Sequence, residues 1–210
     1  MRRLTRKKGK VTRKKYSLIS IGIILFLVLA DQIFKIWVKT HFALGESIPV
    51  LGNWFNLRFI ENEGMAFGLS FGDNVGKLLL SIFRILLTGF MFYYLFRLIK
   101  QSKADLLIIS VFSLIIAGAM GNILDSLFYG LIFNESTPFA VATLFPPEGG
   151  YAPFFYGKVV DMFDFNLFPL PDWLPIFGGS YFFPAIFNIA DTCITVGVIL
   201  VIIFNKKFFP

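Results

Sequence analysis

The hydrophobic positions of this chain are grouped into four long apolar runs. The runs cover about residues 16–38, 75–98, 106–129 and 183–204. A helix that spans a bilayer needs about 20 mostly apolar residues, and each run has this length. The pattern therefore predicts an all-α polytopic membrane protein, a four-transmembrane-helix bundle in which residues 1–210 form a single membrane-embedded domain.

Two connections between the apolar runs are too long to be simple turns. Within the connection 41–74, apolar and polar residues alternate over 54–59 and 65–71, with a turn signal at 61–64, which predicts two short β-strands. The connection 131–180 is rich in Pro, Gly and Phe, and its length predicts short helices or hairpins at the membrane interface. We therefore expect a small extracytoplasmic β-sheet and extended extracytoplasmic insertions.

The distribution of charge predicts the orientation of the bundle. Nine of the 20 Lys and Arg residues lie within residues 1–15, directly before the first apolar run. This arrangement is typical of a cytoplasmic membrane anchor, and it argues against nucleic-acid binding as the reason for the net charge of +7. Further basic residues follow the second and fourth runs, whereas the connections 41–74 and 131–180 are acidic. Both termini are therefore predicted to face the cytoplasm.

Several polar residues occur where a membrane span should be apolar. An ionisable group at the centre of a span costs about 2.5–3.5 kcal/mol on insertion scales. In the predicted topology these groups lie toward the outer face, with Asp191 about 10 Å below it at 1.5 Å per helical residue. Their common depth predicts one site near the extracytoplasmic face. The groups are the helically spaced pairs Asp31 and Lys35, Asn122 and Asp125, and Asn188 and Asp191, with Asp161 ahead of the fourth run.

The residue types at this predicted site restrict its chemistry. The chain has one histidine and one cysteine, His41 and Cys193, which argues against a zinc site with His and Cys ligands. Two neighbouring carboxylates do not both ionise easily, so one can act as a base while the other supplies a proton. Such a pair can activate water and protonate a leaving amine, as in an aspartic peptidase. A proton-coupled transporter and a non-catalytic membrane scaffold are the alternatives, because intramembrane Asp and Lys also occur along conduction paths.

Five separated motifs resemble those of the lipoprotein signal peptidases, also called signal peptidase II, and occur in the same order. They are DQIFK (31–35), NLRFIENEGMAFG (56–68), GNILD (121–125), VVDMFDF (159–165) and FNIADTCITVG (187–197). The resemblance implies a four-helix enzyme of the bacterial cytoplasmic (inner) membrane, with its active site near the extracytoplasmic face. It implies an aspartic endopeptidase that removes signal peptides from diacylglyceryl-modified prolipoproteins, cutting just before the lipidated cysteine.

The same resemblance implies a role for individual residues. Asp161 and Asp191 match the two catalytic aspartates. The implied partners are prolipoproteins with a lipid-modified cysteine and membrane lipids; we expect a monomer and neither a cofactor nor a metal. The residues implied to bind substrate or support the site are Asp31, Lys35, Asn62, Gly64, Asn122, Asp125 and Asn188.

The chain departs from the family pattern in two places. The family commonly has an arginine after the aspartate of the third helix, whereas Ser126 follows Asp125 here. The connection 126–158, between GNILD and VVDMFDF, is also longer than the short turn that is usual in the family. The role of residues 131–158 stays open among three alternatives, which are a lid, a partner site and a structural addition.

Overall fold

The computed structural model describes residues 2–63, 74–101, 105–174 and 178–208, with side chains from Arg13 onward except that of Asn74. Within these residues the four main helices, numbered in chain order, are Arg2–His41, Asn74–Gln101, Leu106–Leu124 and Ile189–Ile203. A short helix, Asn205–Phe208, follows the fourth. The strands are β1 (Ser47–Leu51), β2 (Phe55–Asn62) and β3 (Val159–Phe165).

The predicted helical membrane fold with a small sheet is confirmed. By length and composition, three of the described helices can cross a membrane: Arg13–His41, Val75–Gln101 and Leu106–Ile132. The fourth predicted span forms a shorter apolar helix, Ile189–Ile203. Large apolar side chains such as Phe26, Leu86 and Phe90 are more than half exposed on the outer faces of these helices. Lipid can cover such faces, whereas a water-exposed helix would carry polar residues there.

The fourth helix begins at Ile189, later than the predicted start at residue 183. The preceding segment is held extended, because Phe187 and Phe163 of β3 exchange backbone hydrogen bonds. The backbone at Phe183 is also non-helical, with a φ of 137°. Asn188 therefore lies directly before the helix, and Asp191 lies in its first turn rather than deeper within the span.

The third helix changes its winding close to its end. Regular α-helix ends at Leu124, a π-helical turn covers Asp125–Tyr129, and one last α-helical turn covers Gly130–Ile132. The helix thus continues past the predicted end at residue 129. Isolated π-turns are rare in proteins, and those that occur often lie at functional sites. Here the turn begins at Asp125, a predicted site residue.

The chain divides into two compact units, each with its own apolar core. The helical unit contains Met1–Gln32, Leu79–Ile123 and Ile189–Pro210, and the sheet unit contains Ile33–Leu78 and Leu124–Asn188. The prediction of a single domain is not tested by this division and stays a prediction. The core of the helical unit consists of Ile24, Leu95, Ile99, Ile109, Ile116 and Ala117. The core of the sheet unit consists of Val38, Phe42, Leu57, Phe59, Tyr129, Phe133, Val160 and Met162.

The sheet is antiparallel, with β2 between β1 and β3. The strand predicted at 54–59 is confirmed as β2, but β2 extends through Glu61 and Asn62, which were predicted to begin a turn. Their backbones pair with β3 instead, which keeps them extended. The strand predicted at 65–71 lies outside the described residues.

Strand β3 was not predicted. Its sequence, VVDMFDF, shows no clean alternation of apolar and polar residues, because most of its side chains on both faces are buried. Strands buried on both faces lack the period of two by which a half-exposed strand is recognised. Strand β3 carries Asp161, so the missed strand is the element that positions a predicted catalytic residue.

Candidate active site

Asp161 lies in the middle of β3 and is 2% exposed. The amide of Asn188 donates a hydrogen bond to Asp161 Oδ1 at 2.7 Å. The amide of Asn62 donates to Asp161 Oδ2 at 3.3 Å. An ionised carboxylate only accepts hydrogen bonds, and bonds to a charged acceptor are the stronger ones. The two amides therefore hold the carboxyl group in one orientation by both of its oxygens.

Backbone pairing brings these two amides to Asp161. In the register of β2 with β3, Ile60 lies opposite Asp161 and Asn62 lies opposite Val159. On the other side of β3, Phe187 bridges to Phe163, and Asn188 is the next residue along the chain. The Asn188 amide also donates to the Val160 carbonyl at 3.2 Å.

A buried ion pair supports the same strand. Lys35 Nζ lies 2.7 Å from Asp125 Oδ2, and both side chains are fully buried. The same Asp125 oxygen accepts the backbone N–H of Val160 at 3.3 Å. The backbone at Gly157 also approaches that of Asp125, since a Cβ on Gly157 would lie 2.0 Å from the Asp125 carbonyl oxygen. The ion pair thus anchors β3 one residue before Asp161.

Asp191 belongs to a separate cluster in the helical unit. It is partly buried in the first turn of the fourth helix, where the helix dipole favours a negative charge. The Asn122 amide donates to Asp191 Oδ1 at 2.7 Å. Asp31 Oδ1 accepts the backbone N–H of Ala190 at 2.9 Å. Asp31 thereby caps the N-terminus of the fourth helix, a position at which side-chain oxygens satisfy free N–H groups.

A glycine makes room for this cap. A Cβ on Gly121 would lie 2.5 Å from Asp31 Oδ2 and 3.0 Å from Ala190 Cβ. Gln32 donates to the Gly121 carbonyl and to Asp31 Oδ2, each at 3.2 Å. The first residue of GNILD is therefore explained by close packing around the Asp31 carboxylate.

The predicted site residues thus fall into two groups. Asp31 accepts the Ala190 N–H, and Lys35 pairs with Asp125. Gly64 lies outside the described residues. Asp161 with Lys35, Asn62, Asp125 and Asn188 belongs to the sheet unit, and Asp191 with Asp31 and Asn122 belongs to the helical unit. The catalytic and supporting roles of these residues stay predictions.

Asp164 is the other acid of β3. It is 8% exposed and lies opposite Asn56 of β2. Because successive side chains of a strand point to opposite faces, Asp164 and Asp161, three residues apart, face opposite sides of the sheet. The described residues include no group of three or more His, Cys, Asp or Glu side chains suited to hold a metal ion.

A second buried charge cluster in the sheet unit was not predicted. Lys39 and Glu61 form an ion pair in which the side chains are 0% and 3% exposed. Ser136 bonds to both, and Lys158 Nζ lies 3.7 Å from Glu61 Oε2. The spacing of Asp31, Lys35 and Lys39 by four residues places all three on one helix face. This spacing could have identified Lys39 as a member of the polar helix face. No pattern in the neighbouring sequence indicated its partner Ser136, which is 97 positions away.

Comparison with known proteins agrees with the motif resemblance. A family model described as Signal peptidase (SPase) II matches residues 23–206, a range that includes all five motifs. The lipoprotein signal peptidase of Porphyromonas gingivalis is 48% identical over 186 residues, covering 87% of this chain and 80% of that protein. That of Amoebophilus asiaticus is 39% identical over 188 residues, covering 87% and 75%.

A solved structure described as a bacterial membrane enzyme has a similar fold. Its TM-score to this chain is 0.59 at 29% identity, covering 90% of this chain and 88% of that one. The predicted family is confirmed by these matches together. The chain belongs to the signal peptidase II family.

Proposed function

We propose that this protein is an aspartic endopeptidase that removes signal peptides from diacylglyceryl-modified prolipoproteins, cutting just before the lipidated cysteine. Membership of the signal peptidase II family and the lipoprotein signal peptidases among its relatives support the substrate class. The observation that carries the aspartic mechanism is the environment of Asp161. It is a buried carboxylate whose two oxygens are each held by an amide donor.

In the proposed reaction, Asp161 and Asp191 are the two catalytic carboxylates. One accepts a proton from a water molecule as the water oxygen bonds to the scissile carbonyl carbon. The other donates a proton to the amide nitrogen as the C–N bond breaks, which releases the amine of the lipidated cysteine. Asn62 and Asn188 hold Asp161 during these steps, and Asn122 holds Asp191.

The proposed substrate geometry follows from the membrane fold. The signal helix of the prolipoprotein lies in the bilayer beside the bundle, and the acyl chains on its cysteine stay in the lipid. The scissile bond then lies at the outer boundary of the membrane. This geometry requires both termini of the enzyme to face the cytoplasm, which the basic residues within 1–15 support.

The test is cleavage of a diacylglyceryl-modified prolipoprotein by the purified protein in liposomes, with a metal chelator present. Wild type should cut just before the lipidated cysteine. Asp161→Asn and Asp191→Asn should each lower kcat by about 100-fold or more, the scale of acid–base catalysis. Asp164→Asn is the matched control, because it makes the same change on the opposite face of the same strand. It should stay within a few-fold of wild type.

Thermal unfolding of each variant separates lost chemistry from lost structure. A folded Asp161→Asn or Asp191→Asn variant that still cleaves would refute the catalytic assignment. If Asp164→Asn is as inactive as Asp161→Asn, the two faces of β3 have been assigned wrongly. If wild type fails on a substrate that another signal peptidase II processes, the proposed activity is wrong.

A further inference from the structure

The buried cluster of Lys39, Glu61 and Ser136 joins three distant parts of the sheet unit. Lys39 lies in the first helix, Glu61 in β2, and Ser136 in the insertion 131–158. Lys39 Nζ donates to Glu61 Oε1 and, at 2.7 Å, to Ser136 Oγ. The Ser136 hydroxyl in turn donates to Glu61 Oε1 at 2.8 Å. Each of the three groups is thus bonded to the other two, and all three side chains are at least nine-tenths buried.

The surroundings of Lys39 make this cluster rigid. Its ammonium group lies 5.1–5.8 Å from the centres of three aromatic rings. A cation over ring faces is attracted by their quadrupoles, and a buried charge must keep its partner. These contacts confine Lys39, so the position of the Glu61 carboxylate is also confined. The rings belong to Phe59, Phe133 and Tyr151.

The cluster lies at the end of β2, next to the residue that contacts Asp161. Glu61 precedes Asn62 and is paired with Val160, the residue before Asp161. Adjacent side chains of a strand point to opposite faces, so anchoring Glu61 on one face sets the direction of Asn62 on the other. The Asn62–Asp161 hydrogen bond measures 3.3 Å, slightly beyond the usual 2.7–3.2 Å for such bonds. A small displacement of the strand end would therefore break it.

We propose that Glu61 is a positioning residue, which Lys39 and Ser136 fix so that Asn62 is held against Asp161. Through Ser136, the insertion 131–158 is then a functional part of the enzyme. This inference rests on the proposed function of Asp161. In this proposal the cluster acts on Asp161 through Asn62.

The experiment compares Ser136→Ala with wild type in the liposome cleavage assay. Ser136→Ala should lower kcat by about 10-fold, less than the 100-fold cost that a misplacement of 1 Å can have, with KM changed less than two-fold. Glu61→Gln should act in the same direction, since it weakens the bond to Lys39. Thr143→Ala is the matched control, because it removes an exposed hydroxyl from the same insertion, and it should leave kcat unchanged.

The Asn62→Ala background distinguishes positioning from general structural damage. If the cluster acts through Asn62, Ser136→Ala should not lower kcat further in this background, although it should still lower the unfolding temperature. An equal loss of kcat in both backgrounds would overturn the proposal, as would an unchanged kcat in Ser136→Ala alone. If Ser136→Ala does not fold, the same comparison is made with Glu61→Gln. Inactive wild type would instead refute the proposed function, so the two failures are distinguishable.

Discussion

The buried ion pair between Lys35 and Asp125 allows a quantitative test of what holds β3 in place. The charged atoms are 2.7 Å apart and both side chains are fully buried. At an effective dielectric constant of about 20, two unit charges at this distance attract each other by about 6 kcal/mol. Desolvation of both ions opposes most of this gain, but removing one partner deprives the other buried charge of this attraction. That loss costs about 3–5 kcal/mol.

Asp125→Asn is the cleanest single change. The asparagine oxygen can still accept the Val160 N–H, so the variant removes the charge and keeps the acceptor. We expect it to lower the free energy of unfolding by about 3–5 kcal/mol, because Lys35 loses its counter-ion. Lys35→Met should cost a similar amount. The double variant removes both charges and should be more stable than either single variant. The coupling energy is then at least as large as one single loss, about 3–5 kcal/mol.

The measurement is reversible unfolding in mixed detergent micelles, followed by circular dichroism. Glu63→Gln is the control, because its partner Lys77 lies 3.4 Å away and the Glu63 side chain is 52% exposed. An exposed pair of this kind should cost less than about 1 kcal/mol. If the double variant lost as much unfolding free energy as the two single variants together, the two charges would not be coupled. That result would refute the explanation.

Three further predictions concern single residues. Gly121→Ala should lower the free energy of unfolding by about 1–3 kcal/mol, because its Cβ would overlap the Asp31 carboxylate. Gly89→Ala is the control and should instead raise thermal stability, because its Cβ would meet nothing within 4 Å. A backbone hydrogen bond lowers the pKa of Asp105, so the ionised residue stabilises the fold above its unfolded-state pKa. Asp105→Ala should therefore lower the free energy of unfolding by about 1 kcal/mol at pH 7. This difference between the variant and wild type should shrink as the pH falls through the lowered pKa. Burial raises the pKa of Tyr151 well above its usual value. Because the unfolded chain ionises first, the free energy of unfolding should fall as the pH rises from about 10 toward the raised pKa. The absorbance difference between wild type and Tyr151→Phe should show no tyrosinate at about pH 11, where an ordinary tyrosine is ionised.

The membrane helices could be predicted from the sequence because their signal is local. Each apolar run is long enough to be recognised alone, and the three helices with spanning length lie close to the predicted residues. The fourth helix was predicted too long, since its apolar run continues into 183–187. Those residues are extended because Phe187 pairs with β3. Such pairing depends on a strand more than 20 positions earlier, so the hydrophobic pattern of residues 183–187 alone does not predict it.

The polar partners could not be predicted for the same reason. Asp161 is bonded to Asn62 and Asn188, which are 99 and 27 positions away along the chain. The motif resemblance named these residues without giving their contacts. Lys39 and Ser136 lie outside the five motifs, so only the folded chain brings them together.

The cost of burying a polar group therefore predicts that a partner exists, but the partner decides the role. Asp31, Asp125 and Asp161 are all buried carboxylates and are indistinguishable by hydropathy. Asp31 accepts a helix N-terminal N–H, and Asp125 balances a lysine. Asp161 accepts hydrogen bonds from the neutral amides of Asn62 and Asn188. The two amide donors, one on each oxygen, orient this carboxylate. This orientation, together with the position of Asp161 in the motif VVDMFDF, supports the proposal of Asp161 as a catalytic carboxylate.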